Sequence, residues 1–186
     1  MTQLILGMGL FIAIHLLPSQ ISFRQNLIDK MGRVPYLALF SLISVIGFIL
    51  IVNGFGMTSK EQIWQPQTFA RPLAHAIMPL VFILLISAYL NTHIRAKLKH
   101  PMLIATSLWA LVHLLANGDL ASAILFGGFL LYALADMLLA KPRESLVPKG
   151  QPKAKFDVIA VVVGLMVYAL VLRGHQTLFG VAVFGS

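Results

Sequence analysis

Three of the six histidines lie inside otherwise apolar stretches: His15, His75 and His113. An imidazole in such a segment is costly unless it is hydrogen-bonded or ligated, so chemistry is sought there first. His113 sits in HPMLIATSLWALVHLLANGD, with Trp109 one turn before it and Asn117 one turn after. At helical spacing the three share a face. His15 has Phe11 one turn before it, and Ser41 and Ser44 stand one turn apart on the next apolar run. Two neutral imidazoles facing each other inside a helical bundle suit the axial positions of haem iron, whereas a lone ion such as zinc wants more ligands. This reading makes His15 and His113 iron ligands and Phe11 and Trp109 pocket walls, with His75 as an alternative ligand. The competing reading is that the same histidines are hydrogen-bonded structural or proton-relay groups between helices. Neither reading assigns a catalytic residue.

Heights favour the pairing of His15 with His113. At ~1.5 Å of rise per residue, His113 lies roughly 18 Å in from Pro101, and His15 roughly 13 Å above the same boundary of a ~30 Å core. The two levels differ by about 5 Å, within the tilt of a helix. His75 lies nearer the opposite face. Pro79, four residues after it, cannot donate to the His75 carbonyl, which predicts a kinked or locally open helix. His93, His100 and His175 fall at the edges of apolar runs and read as solvated. Asp136 falls near the end of its run, where it can snorkel or pair with a basic loop residue. Gly127-Gly128 reads as a place where a neighbouring backbone comes close. Trp64 reads as an interface anchor.

These residues have to be positioned by membrane helices. Of 186 residues, 59% are hydrophobic and 11% charged, against about a quarter charged in soluble domains. The mean hydropathy is +0.88. Six apolar segments follow one another: Leu4–Leu17, Val34–Phe55, Pro72–Leu90, Pro101–Ala116, Leu120–Ala140 and Val158–Leu172. The expected fold is all-α, a polytopic bundle of about six transmembrane helices with short loops, in one domain spanning residues 1–186. The first and fourth segments are short for a span of ~20 residues. The tail 174–186 is apolar but too short to cross. The first run lacks both a basic n-region and an A-x-A-like site, so it reads as a retained helix rather than a cleaved signal peptide.

The net charge of +8 does not point to nucleic acid, because the cations lie between apolar runs. Arg24, Lys30 and Arg33 occupy the first connection and Arg95, Lys97 and Lys99 the third. Lys141, Arg143, Lys149, Lys153 and Lys155 occupy the fifth, whose proline and lysine content reads as a flexible link. Only Lys60, Arg71 and Arg173 fall on the other side. The positive-inside rule then places both termini in the periplasm of a bacterial inner (plasma) membrane, with the basic loops touching membrane lipid. Zero cysteines exclude disulfides, thiolate ligands and covalent haem attachment through C-x-x-C-H.

Taken together these features resemble the NnrU family of bacterial membrane proteins, to which the plant zeta-carotene isomerase is related. The matching residues are His15, Arg24, Tyr36-x-x-x-Phe40-Ser41 with Ser44, and Arg71 and His75 followed by Pro79. Lys97-x-x-His100-Pro101-Met102-Leu103 follows, then Trp109-Ala110-x-x-His113-Leu-Leu-Ala-Asn117-Gly118-Asp119 leading to Phe126-Gly127, then DVIAVVVGLMVYAL and His175. The motif around His113 is the most specific of these. The resemblance implies six membrane helices and, in bacteria, an accessory role in denitrification. From the isomerase it implies a non-covalent haem b held by histidines, carried over onto His15 and His113. It further implies redox-assisted isomerisation of a carotenoid-like polyene, or electron transfer to a lipophilic small-molecule substrate. The isomerase also involves a cysteine near its second histidine. Here Ala110 occupies the preceding turn and no cysteine exists, so a ligand swap through sulfur has no counterpart. The alternative remains a cofactor-free accessory or transport protein; transport is disfavoured because no inverted repeat is visible.

Overall fold

The computed structural model describes residues 1–139, 150–181 and 183. Its helices are α1 (Thr2–Leu16), α2 (Ile21–Met31), α3 (Arg33–Met57), α4 (Ala70–Ser87), α5 (His93–Leu98), α6 (Pro101–Ala116), α7 (Leu120–Leu139) and α8 (Ala154–Phe179). Each of the six apolar segments is a helix. Five are long and apolar enough to cross a membrane, α1 being counted through Ser19, and α6 is a shorter apolar helix. Among the described residues the only extended pairing is an isolated bridge between Gln62 and Asp119. This is an all-α, multi-pass membrane protein. Leu42, Val45, Phe48, Ile49 and Val52 of α3 are exposed, as are Val158, Val162, Met166 and Leu170 of α8. Apolar surface of that extent belongs against lipid rather than water.

Three features depart from the sequence reading. The first basic connection is not a loop but the helix α2, and the third contains α5. The last helix runs on through His175 to Phe179, so the start of the tail is helical. It ends at Gly180, whose φ of +73° closes the helix with an N–H bond to the Gln176 carbonyl at 2.8 Å. The flexible link expected over 141–155 lies largely outside the described residues, but from Ala154 onward the chain is already α8.

The chain forms two compact units. The first consists of Met1–Ala70 with the chain from Ala110 through α7. In it α1 runs antiparallel to α3 and parallel to α7. Leu4, Met8, Ile51 and Ala121 form its buried cluster, with Phe11, Phe55 and Phe129 packed around them. Helix α1 and α3 meet backbone to backbone. A Cβ on Gly7 would stand 2.7 Å from the Ile51 nitrogen, one on Gly47 would stand 3.3 Å from the Phe11 Cα, and one on Gly54 would overlap the Leu4 backbone. Small residues at such contacts let dispersion act between helices where no hydrophobic drive exists. The expected glycine contact at 127–128 is different. A Cβ on Gly127 meets open space, and one on Gly128 would meet side chains of α1, the Met8 methyl group first and then the Ile12 Cδ1.

The Asn117-Gly118-Asp119 motif joins α6 to α7. The Asn117 side-chain amide donates to the His113 carbonyl at 2.8 Å, closing α6. Gly118 accepts from the Ile63 and Trp64 N–H groups at 2.7 and 3.1 Å, and a Cβ there would collide with the Trp64 carbonyl. Trp64 is thus tied by its backbone to this turn. Asp119 caps α7, accepting from the Ser122 N–H at 2.9 Å and its hydroxyl at 2.6 Å. Lys60 stands 4.0 Å from Asp119 and 3.1 Å from the Phe55 ring centroid. Burial lowers the Lys60 pKa from its usual range, and the Asp119 carboxylate partly offsets this. Asp119→Ala is expected to cost about 1 kcal/mol, within the 0.5–2 kcal/mol of a lost cap, and Asp119→Asn to recover most of it. Thermal unfolding in detergent reads both.

The second unit comprises Arg71–Trp109 and the described part of 144–186. Val81 and Leu84 of α4 pack on Ala105 of α6, with Trp109 beside them. A Cβ on Gly164 of α8 would stand 2.8 Å from the Ile83 backbone. Helix α4 continues across Pro79. The carbonyl that Pro79 cannot serve, that of His75, accepts from the Tyr168 hydroxyl at 3.5 Å. Asp157 of α8 seats α5. It accepts from the His93 backbone N–H at 2.9 Å and lies 2.6 Å from the His93 Nδ1.

Candidate functional site

Pro18 ends α1 and turns Leu17–Ser19 into a single 3₁₀ turn, leaving His15 in the last helical turn. The His15 ring stacks on Phe11 at 3.9 Å, and its Nδ1 donates to the Phe11 carbonyl at 2.7 Å. Phe40 of α3 and Tyr132 of α7 present ring edges to it at 5.3 and 6.1 Å. The Pro18 turn carries Ser19 inward, so that its hydroxyl donates to the Asp136 carboxyl at 2.5 Å. Asp136 therefore does not snorkel to an exposed position. It is 4% exposed, bonded to Ser19 and within electrostatic reach of His15. Tyr36, one turn before Phe40, is buried, and its hydroxyl has no partner among the described residues. One end of the first unit thus collects an imidazole, a carboxyl group, a serine hydroxyl and aromatic walls.

His113, in the same unit, is half-buried and packs on Phe126 of α7, with ring centroids 4.9 Å apart. Phe126, Phe129 and Tyr132 recur on one face of α7. His113 and His15 are therefore both served by that face, at positions about 9 Å apart in helical rise. Phe129 lies between those levels and packs edge-on against Phe11 at 5.6 Å. Trp109 sits in the second unit, in the cluster around Val81 and Leu84. His75 is also in the second unit, half-buried on α4. The Ser44 hydroxyl bonds back to its own helix at the Phe40 carbonyl, 2.8 Å away. His93 is exposed but engaged by Asp157, and the His175 Nδ1 donates to the Val181 carbonyl at 2.8 Å.

Among the described residues no group of three or more histidines and carboxylates converges as a free metal ion would need. A haem iron has a different requirement, since its macrocycle supplies four donors and the protein one or two. The donor chemistry at His15 fits that requirement. A ring tethered through Nδ1–H to a backbone carbonyl is fixed in the tautomer whose Nε2 carries the ligating lone pair.

The family model described as NnrU protein matches residues 3–183. The chain belongs to the NnrU family. No curated protein and no solved structure matches it. In this NnrU chain the motif around His113 has a structural account residue by residue: Asn117 closes α6, Gly118 admits the Trp64 carbonyl and Asp119 caps α7. His15, by contrast, is embedded in side chains from three helices. Phe40, Tyr132, Ser19 and Asp136 were not singled out as its surroundings from the sequence. The usable signal was the one-turn spacing of Phe40 after Tyr36 and of Asp136 after Tyr132.

Proposed function

We propose that this NnrU protein holds a non-covalent haem b within the membrane, with His15 as one axial ligand and His113 as the other. The observation that carries the reading is the 2.7 Å tether from the His15 Nδ1 to the Phe11 carbonyl, which presents Nε2 for ligation. Such a group, when bound, supplies one-electron transfer at a potential set by its ligands and the polarity around them. The chain's own contributions are distinct. Phe11 holds the imidazole plane, Phe40 and Tyr132 exclude water from its edges, and Asp136 sets the local field with Ser19 as its hydrogen-bond donor. A lipophilic substrate, of the polyene class, would arrive laterally from lipid, and redox-assisted isomerisation or electron transfer in support of denitrification is the chemistry proposed. In this reading the protein lies in a bacterial inner membrane with both termini in the periplasm, an orientation supported by the cations of the odd-numbered connections. The test is to express the chain with haem supplied and purify it in detergent. A Soret band co-eluting with the protein is expected, and a colourless, folded protein overturns the reading.

A second reading rests on the Ser19–Asp136 hydrogen bond. A buried carboxyl group beside an imidazole inside a membrane is the composition of a proton-handling site. In either reading Asp136→Ala leaves the buried Ser19 hydroxyl without its acceptor, at a cost of about 1–3 kcal/mol. Asp136→Asn keeps an acceptor oxygen and is expected to recover most of that stability. A proton-handling role predicts that Asp136→Asn abolishes pH-dependent function while the protein stays folded and colourless.

A further inference from the structure

Helix α2 has two unlike sides. At the helical period Ser22, Gln25, Asn26 and Asp29 fill one arc, while Phe23, Leu27, Ile28, Ile21 and Met31 fill the other. Arg24 falls in the middle of the apolar arc, and Lys30 borders Phe23 at one edge of it. The apolar arc is wider than the protein covers. Arg24, Leu27 and Ile28 are half-buried. Ile21 on one margin and Phe23 on the other stay 42% and 54% exposed, and Met31 at the helix end is 38% exposed.

The chain on either side fixes where this arc sits. Helix α1, followed through Ser19, and α3 are both long and apolar enough to cross a membrane. Between them and α2 stand only Gln20 and Gly32. The 25 residues of α3 give it a length of roughly 37 Å, against a hydrocarbon core of ~30 Å, so its ends reach the membrane surfaces. Gly32 makes the corner with a φ of +88°, open to glycine at no steric cost. Its N–H donates to the Ile28 carbonyl at 2.8 Å, and its own carbonyl accepts from the Tyr36 N–H at 3.2 Å. Helix α2 thus ends and α3 begins with no linker between them. The exposed apolar residues of α2 are held at the level where α1 ends and α3 begins, the boundary of hydrocarbon and headgroups.

Arg24, Lys30 and, past the corner, Arg33 bring cations to the same level. The carboxylate of α2, Asp29, lies on the polar arc and accepts from the Gln25 side chain at 2.8 Å. An arginine centred on an apolar arc can lay its stem along that arc and extend its guanidinium to the headgroups. Helices with an apolar arc edged by Lys and Arg lie in the membrane interface, and each cation near an anionic surface strengthens binding. We propose that α2 lies in the plane of the membrane as a binding surface for anionic lipid, with Ile21, Phe23 and Met31 among the acyl chains and Arg24 and Lys30 on headgroup phosphates. The proposal is independent of what His15 holds.

The chain has no cysteine, so a single introduced one reports its own position. Ser22→Cys, Phe23→Cys, Asn26→Cys and Met31→Cys, each in the otherwise unchanged full chain, carry a fluorophore in nanodiscs of phosphatidylcholine with and without phosphatidylglycerol. Quenchers on the acyl chains are expected to act on the labels at 23 and 31 well above those at 22 and 26, and aqueous acrylamide to act in the reverse order. Native mass spectrometry of detergent samples given both lipids then reads the preference for phosphatidylglycerol. It is expected to fall about tenfold or more in Arg24→Gln/Lys30→Gln and to survive in Arg24→Lys/Lys30→Arg. The labelled variants keep the native charges, so their pattern tests the proposal even where the double glutamine variant fails to fold. Equal quenching at all four positions overturns the proposal, as does an unchanged lipid preference in the folded double glutamine variant. Protection of all four labels from both quenchers also overturns it, since another protein surface would then cover α2.

Discussion

Gly54→Leu is expected to abolish accumulation of folded protein, while Gly56→Leu, two residues further along the same helix, is expected to be close to silent. The first collision is with main chain. A Cβ on Gly54 would overlap the Leu4 nitrogen and lie 2.7 Å from the Leu4 Cα, with the carbonyl carbon of Gln3 at 2.8 Å. Backbone cannot rotate aside as a side chain can, so α1 would have to move off α3 over its whole first turn. Leu4, 0% exposed, would leave its cluster with Met8, Ile51 and Ala121. Overpacking costs 1–3 kcal/mol where neighbours can shift, and more where they cannot. The loss of the α1–α3 contact also removes most of what holds the His15 end of α1 against Phe40. Around Gly56 there is nothing within 4 Å of a Cβ, so the leucine faces lipid and adds no clash. Gly54→Ala carries the same Cβ into the Leu4 backbone and is expected to be strongly destabilised as well, though less than the leucine variant because it adds no further atoms. Size-exclusion profiles and thermal unfolding of the three variants decide the matter, and similar behaviour of Gly54→Leu and Gly56→Leu would contradict the packing described.

How far this fold could be read from residue order depends on what hydropathy encodes. Six apolar runs are six helices, because in lipid every backbone polar group must be satisfied within its own segment. Rotation of each helix about its axis is another matter. Lipid-facing and protein-facing sides are equally apolar, so nothing in Gly54 or Gly56 says which one touches a neighbour, and the adjacent pair at 127–128 reads as a close backbone contact although the atoms nearest its Cβ positions are side chains or open space. Helix α2 was missed for the opposite reason. Arg24 and Lys30 mark a connection by their charge, and Ile21 and Phe23 remain exposed in the fold. None of its residues is buried, so its helicity does not come from a face packed into the core. At the candidate site the Phe11–His15 pair was legible because it lies within one helix. Ser19 with Asp136, separated by 117 residues, and the His75 carbonyl with Tyr168, separated by 93, were not, since both need the helix pairing first. The freed carbonyl itself was legible from Pro79 alone.

The larger effect expected at the site is spectroscopic. With haem supplied, His15→Ala should remove the Soret band, and His113→Ala should remove it or shift it as one axial nitrogen is lost. His100→Ala should leave it intact, since His100 lies outside the cluster around His15. His15 is the stronger test, because its ring is held from several sides: Phe11 on one face, Phe40 and Tyr132 at the edges, and the Phe11 carbonyl on Nδ1. Removing it takes the proposed ligand and leaves the walls. Phe11→Leu keeps the carbonyl that accepts from Nδ1 and removes only the stacked ring, so it should retain haem with a broadened or displaced band. Exogenous imidazole distinguishes a lost ligand from a damaged fold, because it can occupy the space that His15→Ala opens and restore the band only if the surrounding walls are intact. Partial proteolysis of the same samples provides the control for folding. His113 carries the sharper geometric demand. The residues of α7 on which the two rings pack are about 9 Å apart in rise, so both side chains would have to lean toward the level of Phe129 to hold one group between them. If His113→Ala leaves the band and its position unchanged while His15→Ala removes it, His15 is the sole protein ligand, and the Phe126–Phe129 face of α7 serves as a wall of the site.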